Sequence, residues 1–320
     1  MHDASGEVVT VESPARLHFG LLDPRGALGR RFGGIGAPAP AITVRVSVSL
    51  AADVEAEGPD ADRAAEFARR FLRHRSLGGG ARVRVERAIP PHSGLGSGTQ
   101  LGLSIARALA ELHGESATAP ELARAVGRAK RSAVGTWTFD RGGFVVEGGR
   151  RADREDDTGP LLARLSFPPT WRCVVALPDA PSGVSGSAEA HAFASLPLPA
   201  ERDVERVSHL VLMAMLPALA DRDIGAFGTA LTEVQEINGR WFSHAQGGPF
   251  APGASAFLVK RLREWGAAGV GQSSWGPAVY AVVDGDGAAL DLARRAQDAM
   301  GQGGAVYAGA FPATGSRITR

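Results

Sequence analysis

Hydrophobic residues recur along this chain with two spacings, and the local spacing predicts strand or helix. Residues 7–13, 15–21 and 42–50 carry β-branched side chains, and the third run alternates apolar with small or polar positions. All three read as strands. Residues 61–75 gather Ala65, Phe67, Ala68, Phe71 and Leu72 on one helical face. After Gly78, Gly79 and Gly80, residues 82–87 form a strand pattern in which Val83 and Val85 alternate with arginines. Pro90 and Pro91 close that strand, because proline cannot donate to a central ladder. The glycine-serine segment 93–100 then runs into a helix, with Leu101, Ile105, Leu109 and Leu112 at steps of four, four and three. A second helix is predicted over 120–131, and a strand over 144–147 lies between two Gly-Gly pairs.

The acidic stretch 153–160 ends in Gly-Pro and predicts a boundary between a domain 1–160 and a domain 161–320. Beyond it the pattern gives a strand at 171–177 and helices near 201–219, 223–237 and 255–265. A strand at 278–283, a helix near 288–300 and a strand at 305–311 close the chain. Strands and helices mixed in this way predict an α+β fold rather than a regular parallel sheet.

Composition then narrows the function. The 320 residues hold 35 basic and 34 acidic side chains, a formal charge of +1. That balance argues against a nucleic-acid partner bound by bulk electrostatics and leaves room for a local basic pocket. Cys173 is the one cysteine, so an intrachain disulfide and a multi-cysteine zinc site are excluded. Residues 1–11 lack the basic start and apolar run of a signal peptide. The most apolar stretch, 209–220, is too short to span a membrane and contains Pro217. A cytoplasmic protein with no membrane partner is expected. The 42 glycines predict backbone that turns tightly or approaches a ligand closely.

The strongest chemical signal is Pro91-His92-Ser93-Gly94-Leu95-Gly96-Ser97-Gly98-Thr99-Gln100 at a strand-to-helix junction. Glycines let backbone curl around an anion, and the unpaired N–H groups of a helix start favour negative charge. Ser93, Ser97 and Thr99 add hydroxyl donors. The segment matches neither the G-x-x-x-x-G-K-[ST] loop nor the dinucleotide fingerprint. Without a ligand it reads as a tight turn with capping serines. A second glycine-rich loop, 269–277, holds Gln272, Ser273 and Ser274. A third segment, 25–36, sets Arg30 and Arg31 before Gly33, Gly34 and Gly36, where guanidinium forks suit phosphate or carboxylate. Taken alone, that arginine pair reads as solvated surface.

In this order the segments carry a resemblance. The loop Gly94-Leu95-Gly96-Ser97 after Pro-Pro, with the late Gly271-Gln272-Ser273-Ser274-Trp275-Gly276-Pro277, is similar to the GHMP kinase superfamily. Ala15-Arg16-Leu17-His18-Phe19-Gly20-Leu21-Leu22-Asp23, Leu28-Gly29-Arg30, Gly33-Gly34-Ile35-Gly36, Arg131-Ser132-Ala133-Val134-Gly135 and residues 139–149 resemble more closely the beta-ribofuranosylaminobenzene 5'-phosphate synthase family. The resemblance implies a GHMP-kinase-like two-domain α+β fold, with a glycine-serine phosphate loop and an active site in the cleft between domains. It implies a decarboxylating C-ribosyltransferase. Phosphoribosyl pyrophosphate (PRPP) would give ribose 5-phosphate to a ring carbon of an aromatic carboxylate, releasing pyrophosphate and CO2. The implied acceptor is 4-hydroxybenzoate or 4-aminobenzoate, on the way to a methanopterin-type cofactor. Relatives in C-nucleoside antibiotic pathways imply a heteroaromatic carboxylate as the alternative. A homodimer suits the family.

An ATP-dependent small-molecule kinase is the rival within the superfamily. Its members commonly carry Gly-Lys where this chain has Ala15-Arg16, and many place an aspartate base about seven residues before a Gly-Gly pair. Counting back from Gly142-Gly143 reaches Gly135, which cannot accept a proton. The transferase needs anion-holding and positioning groups instead. The resemblance assigns catalysis to Asp23, Arg30 and His18. Asp23 would contact Mg²⁺ or the ribose hydroxyls, Arg30 would bind pyrophosphate or the acceptor carboxylate, and His18 would shuttle a proton or donate a hydrogen bond. Mg²⁺ is the expected cofactor, bound mainly through pyrophosphate. Ser93, Gly94, Gly96, Ser97, Gly98, Thr99 and Gln100 would hold phosphate, Arg131 and Ser132 the ribose 5-phosphate, and Gln272, Ser273 and Ser274 the rest of the donor. Residues 238–248 would border the acceptor. On residue chemistry alone, Asp23 has the look of a turn residue and His18 that of a structural strand histidine.

Overall fold

In a computed structural model that describes residues 6–154, 156–180, 191–193 and 195–320, the two predicted strands at 7–13 and 15–21 are one strand, β1 (Val9–Asp23). It pairs antiparallel with β2 (Arg30–Ala51), which absorbs both the strand at 42–50 and the glycines at 33–36. Those glycines are therefore strand residues and not an anion loop. A Cβ on Gly36 would lie 2.2 Å from the Leu17 carbonyl oxygen and 2.6 Å from the Val134 side chain. Glycine is required there so that two backbones and a side chain can close together.

The first sheet continues through β3 (Glu55–Glu57) and β4 (Gly80–Arg87), with strand order β12-β1-β2-β4-β3. Short strands β5 (Phe144–Glu147) and β6 (Arg150–Arg151) pair with β2, and β7 (Leu161–Leu165) pairs with β5. Four helices join these strands: α1 (Ala61–His74), α2 (Ser97–Leu112), α3 (Ala119–Ala125) and α4 (Val134–Arg141). The sheet thus runs past residue 160, and β12 (Arg317–Thr319) returns to it from the far end of the chain.

The second sheet is fully antiparallel in the order β11-β8-β10-β9. Its strands are β8 (Trp171–Pro178), β9 (Gly269–Gln272), β10 (Val279–Asp284) and β11 (Gly304–Ala310). The expected loop 269–277 is thereby shortened, because its first four residues pair with β10. Alternation along β8 and β10 divides the sheet's faces. Cys173, Val175, Tyr280 and Val282 face the main core, whereas Val174, Ala176, Val279 and Ala281 pack with Leu258 and Leu292. Those leucines belong to α8 (Ala254–Glu264) and α9 (Asp286–Met300).

Aromatic rings close the seam between the sheets. Phe19 on β1 lies 4.8 Å from Tyr280 on β10, and Phe144 lies 5.8 Å from Phe227. Phe227 sits on α7 (Ile224–Gln246), which follows α5 (Glu201–Leu210), a π-helical turn (Val211–Met215) and α6 (Leu216–Asp221). Helix α7 continues nine residues beyond the predicted end at 237. Asn238 and Gly239 do not break it: a Cβ on Gly239 would lie 2.4 Å from the Pro249 carbonyl oxygen, so the glycine lets backbone pass. Cys173 is fully buried, and desolvation pushes its thiol far up, which makes it inert.

Candidate active site

Strand β1 shifts register against β2 twice, between Pro14 and Arg16 and between His18 and Gly20. Such irregularities bend a strand and re-aim its side chains. Ala15, Leu17, Phe19 and Leu21 sink into the core, while Arg16, His18 and Gly20 line a cavity of about 250 Å³. Thr99 of α2, the C-terminal part of α7 and residues 272, 274 and 275 complete the walls, so both sheets contribute. Asn238 fixes α7 to β1 by accepting from the Leu21 N–H at 2.7 Å and donating to its carbonyl at 3.2 Å.

The helix predicted over 120–131 stops at Ala125, because Gly127 and Ala129 adopt left-handed backbone. A helix would have spread the following side chains around its axis. The loop instead brings residues 127–132 together on the cavity wall. Arg128, Lys130 and Arg131 thus join Arg16, and no Asp or Glu is found among the described residues that line the space. The Arg128 guanidinium lies 5.0 Å over the Phe67 ring, and a Cβ on Gly98 would meet it at 2.6 Å. Gly98 therefore lets this cation approach the start of α2.

The glycine-serine loop is a frame for the cavity more than its lining. Gly94 (φ +79°) offers its carbonyl to Arg16 Nη1 at 3.0 Å and to Ser273 Oγ at 2.7 Å. Ser273 Oγ also accepts from the His18 N–H at 3.0 Å, so one hydroxyl pins β1 and the loop together. Ser93 donates to the Pro90 carbonyl, and Ser97 accepts from Arg63. Gln100 is fully buried between Ser13 Oγ and the Gly135 carbonyl, which makes it a strut. Gly96 precedes α2 without a side-chain cap; its carbonyl takes the Thr99 and Gln100 N–H groups, and the N–H groups of Ser97 and Gly98 at the helix start face the end where an anion is favoured.

His18 is nearly buried, and its Nε2 lies 3.0 Å from Ser132 Oγ. Burial, then the neighbouring Arg16 charge, holds the imidazole well below its ordinary range, so His18 is neutral. Behind Ser132 stands Glu147 at the end of β5, with no exposed surface. Its carboxylate oxygens accept from the Ala133 N–H at 3.1 Å and the Gly149 N–H at 2.8 Å, and Ser132 also hydrogen-bonds to it. Desolvation outweighs these bonds and the nearby Arg30 charge, and the carboxyl is pushed up to about 7.

Phe193, Phe242 and Trp275 form an aromatic wall in which each ring meets the others edge-on, with centroids 5.0 to 5.6 Å apart. The Arg131 guanidinium lies 5.1 Å over the Phe193 ring. Cation and aromatic faces therefore share one wall.

Of the residues singled out from the sequence, His18, Thr99, Arg131, Ser132, Gln272 and Ser274 line the cavity. Ser93, Gly94, Gly96, Ser97, Gly98, Gln100 and Ser273 shape it from outside the lining. Asp23 and Arg30 lie apart from the lining. Asp23 Oδ1 accepts from the N–H groups of Arg25 and Gly26 at 2.7 and 3.0 Å, which is turn chemistry. Arg30 Nε donates to the Gly148 carbonyl at 3.0 Å and its charge acts on Glu147. Residues 238–248 contribute Asn238, Gly239, Phe242 and Gln246, as expected for a segment bordering the site. Sequence reading passed over Arg16, Arg128, Lys130 and Glu147. The two-residue spacing of Arg16 and His18 was the available signal for the first. The lining has no carboxylate for Mg²⁺, and no cluster of three His, Cys, Asp or Glu suited to a metal occurs among the described residues. Among the described residues, the lining therefore holds no ligand set that fits a protein-ligated Mg²⁺.

Comparison with known proteins agrees with this architecture. The GHMP kinases N terminal domain matches residues 62–141 and the GHMP kinases C terminal domain matches 215–302. The fold is similar to that of homoserine kinase from Cytophaga hutchinsonii, with a TM-score of 0.72 at 16% identity, covering 100% of this chain and 99% of that one. Beta-ribofuranosylphenol 5'-phosphate synthase of Methanothermobacter thermautotrophicus is 36% identical over 295 residues, 86% of this chain and 88% of the relative. The enzyme of the same name from Archaeoglobus fulgidus is 33% identical over 90% of this chain and 92% of its own. Domain matches, fold and full-length similarity converge, and the chain belongs to the beta-ribofuranosylphenol 5'-phosphate synthase family.

Proposed function

We propose that this protein is a decarboxylating C-ribosyltransferase that joins the ribose 5-phosphate of PRPP to the carboxylate-bearing ring carbon of an aromatic acid. The observation that carries this reading is the cavity lining: four cations, no carboxylate among its described residues, and an aromatic wall. Such a lining suits a polyanionic donor beside a flat aromatic acid. The relatives are named for a ribofuranosylphenol phosphate, and loss of CO2 from a hydroxybenzoate leaves a phenol. The acceptor is accordingly 4-hydroxybenzoate, with 4-aminobenzoate as its close analogue.

The chain's own groups divide the task. The start of α2, with Arg16 and Arg128 beside it, holds the diphosphate and stabilises negative charge as it leaves. Lys130 and Arg131 hold the 5-phosphate and the acceptor carboxylate. Phe193, Phe242 and Trp275 orient the ring so that its carbon faces the anomeric carbon. Mg²⁺ would arrive as a companion of the diphosphate. A cytoplasmic setting and a homodimer belong to the same proposal; light scattering on the purified chain checks the second.

The test incubates the protein with Mg²⁺, PRPP and a panel of benzoates and heteroaromatic acids, and scores CO2 and pyrophosphate. Equal release of both with 4-hydroxybenzoate is expected. Release only with heteroaromatic acids would move the protein to C-nucleoside chemistry. ATP consumption without CO2 would replace the reading with a kinase.

A further inference from the structure

Glu147 stands behind the lining residue Ser132 and touches no solvent, and the roles assigned above leave it unused. Its surroundings are built to isolate it. A Cβ on Gly159 would fall 2.2 Å from Glu147 Oε2 and one on Gly34 3.3 Å from Oε1, so two glycines admit backbone against the carboxyl. Trp137 Nε1 holds the Gly159 carbonyl at 2.8 Å and closes that side. Arg30 on β2 is the charged group acting on it, and Ser132 links it to His18 on β1. The Val134 N–H donates to Ser132 Oγ at 3.3 Å, which steadies the hydroxyl between the two.

We infer that His18, Ser132 and Glu147 form a proton relay that borrows the acceptor's hydroxyl proton during C–C bond formation and returns it after CO2 has left. This inference rests on the synthase reading above. At the outset His18 Nε2–H donates to Ser132 Oγ, and the Ser132 O–H donates to the Glu147 carboxylate. Because Nε2 is taken, the ring nitrogen available to a ligand is Nδ1. As the ring's π pair attacks the anomeric carbon, the C–O bond to diphosphate breaks and its pair departs with the leaving group. The acceptor's O–H pair becomes the second bond of a ring carbonyl, and the proton passes to Nδ1. The Nε2 proton moves to Ser132, and the Ser132 proton moves to Glu147. Breaking the ring–carboxylate bond then releases CO2, returns its electron pair to the ring and restores a phenolate. The relay runs backwards and protonates that oxygen. No proton is consumed overall.

The electrostatics support this division. His18 is held too far below its ordinary range to store the proton, whereas the buried carboxyl at about 7 is suited to receive and release it. Glu147 is thus a positioning and proton-storing residue that acts through His18.

The test compares wild type, Glu147→Gln and Ser132→Ala with 4-hydroxybenzoate and with 3,5-difluoro-4-hydroxybenzoate, whose hydroxyl is already ionised at the assay pH. With 4-hydroxybenzoate, both variants should lose about 100-fold in kcat with KM for PRPP nearly unchanged, and the pH limb near 7 should vanish in Glu147→Gln. With the ionised acceptor the deficit should shrink at least tenfold, which a merely structural defect would not produce. The same loss with both acceptors and an unchanged pH limb would overturn the relay while leaving the synthase reading intact. No CO2 or pyrophosphate from wild type would overturn both. Should Glu147→Gln fail to fold, Ser132→Ala, which keeps the carboxyl, answers by the same acceptor comparison.

Discussion

Two glycine-rich segments look alike in sequence and do opposite work. Gly33, Gly34 and Gly36 lie within β2, where their missing side chains let β1, β5 and α4 close over one another and over Glu147. Gly96 and Gly98 lie at the start of α2, where the missing side chains admit the Arg16 and Arg128 side chains, while Gly94 just before them admits the Ser273 and Gly276 backbone. Glycine content signals close approach in both. What approaches, backbone or a charged side chain, is decided by the strand partner or the helix terminus.

Substitution should separate the two kinds. Gly36→Ala sets a methyl 2.2 Å from the Leu17 carbonyl oxygen and should lower stability by about 3 kcal/mol or more, read by urea unfolding. Stability near wild type would mean the strand segment does not pack as described. The next effect concerns the carboxyl that the same strand covers. Burial raises Glu147 from its ordinary 4.5 to about 7, so the folded chain keeps a proton that the unfolded chain releases. Stability should fall as pH rises through that window, by up to about 3 kcal/mol from this group, and Glu147→Gln should flatten the slope. An identical slope in the variant would place the titration elsewhere.

The loop segment should respond differently. Gly98→Ala meets the flexible end of Arg128 and not backbone. Its stability should stay within about 1 kcal/mol of wild type while binding of inorganic pyrophosphate weakens roughly tenfold by calorimetry. Unchanged pyrophosphate binding would remove Arg128 from the donor site. The smallest effect is reserved for Gly29, whose φ of +82° is left-handed but whose Cβ would meet open space. Gly29→Ala should cost about 1 kcal/mol in thermal unfolding from backbone strain alone. A larger loss would show that the hairpin between β1 and β2 is packed more tightly than its surroundings indicate.

Much of this fold was legible in the periodicity. The strands at 82–87, 144–147 and 171–177 and the helices at 61–75 and 255–265 fall within a residue or two of their observed ends. The helix after the glycine-serine loop was legible too, and so was the place of Arg131 and Ser132 at the cavity, because glycine, serine and arginine carry local meaning. Other features depend on contacts far along the chain. Glu147 ends a run of Phe and Val, and nothing in that run announces that Gly34, Ala133 and Gly159 bury it. Arg128 and Lys130 were hidden in a predicted helix, since nothing local announces that Ala129 takes a left-handed conformation. Asn238-Gly239 has the composition of a helix stop, but its meaning lies in the β1 and Pro249 backbones that it meets.

The Ser273 bridge carries a consequence for assembly. A hydroxyl from the last third of the chain holds the N–H of His18 and the carbonyl of Gly94, and so sets the spacing between the strand and the loop that face a ligand. A protein split between α6 and α7 and supplied as two fragments would have to dock before that spacing existed. Binding competence would then appear only with fragment association, and a polyanion that favours the docked form would draw the fragments together in proportion to its concentration.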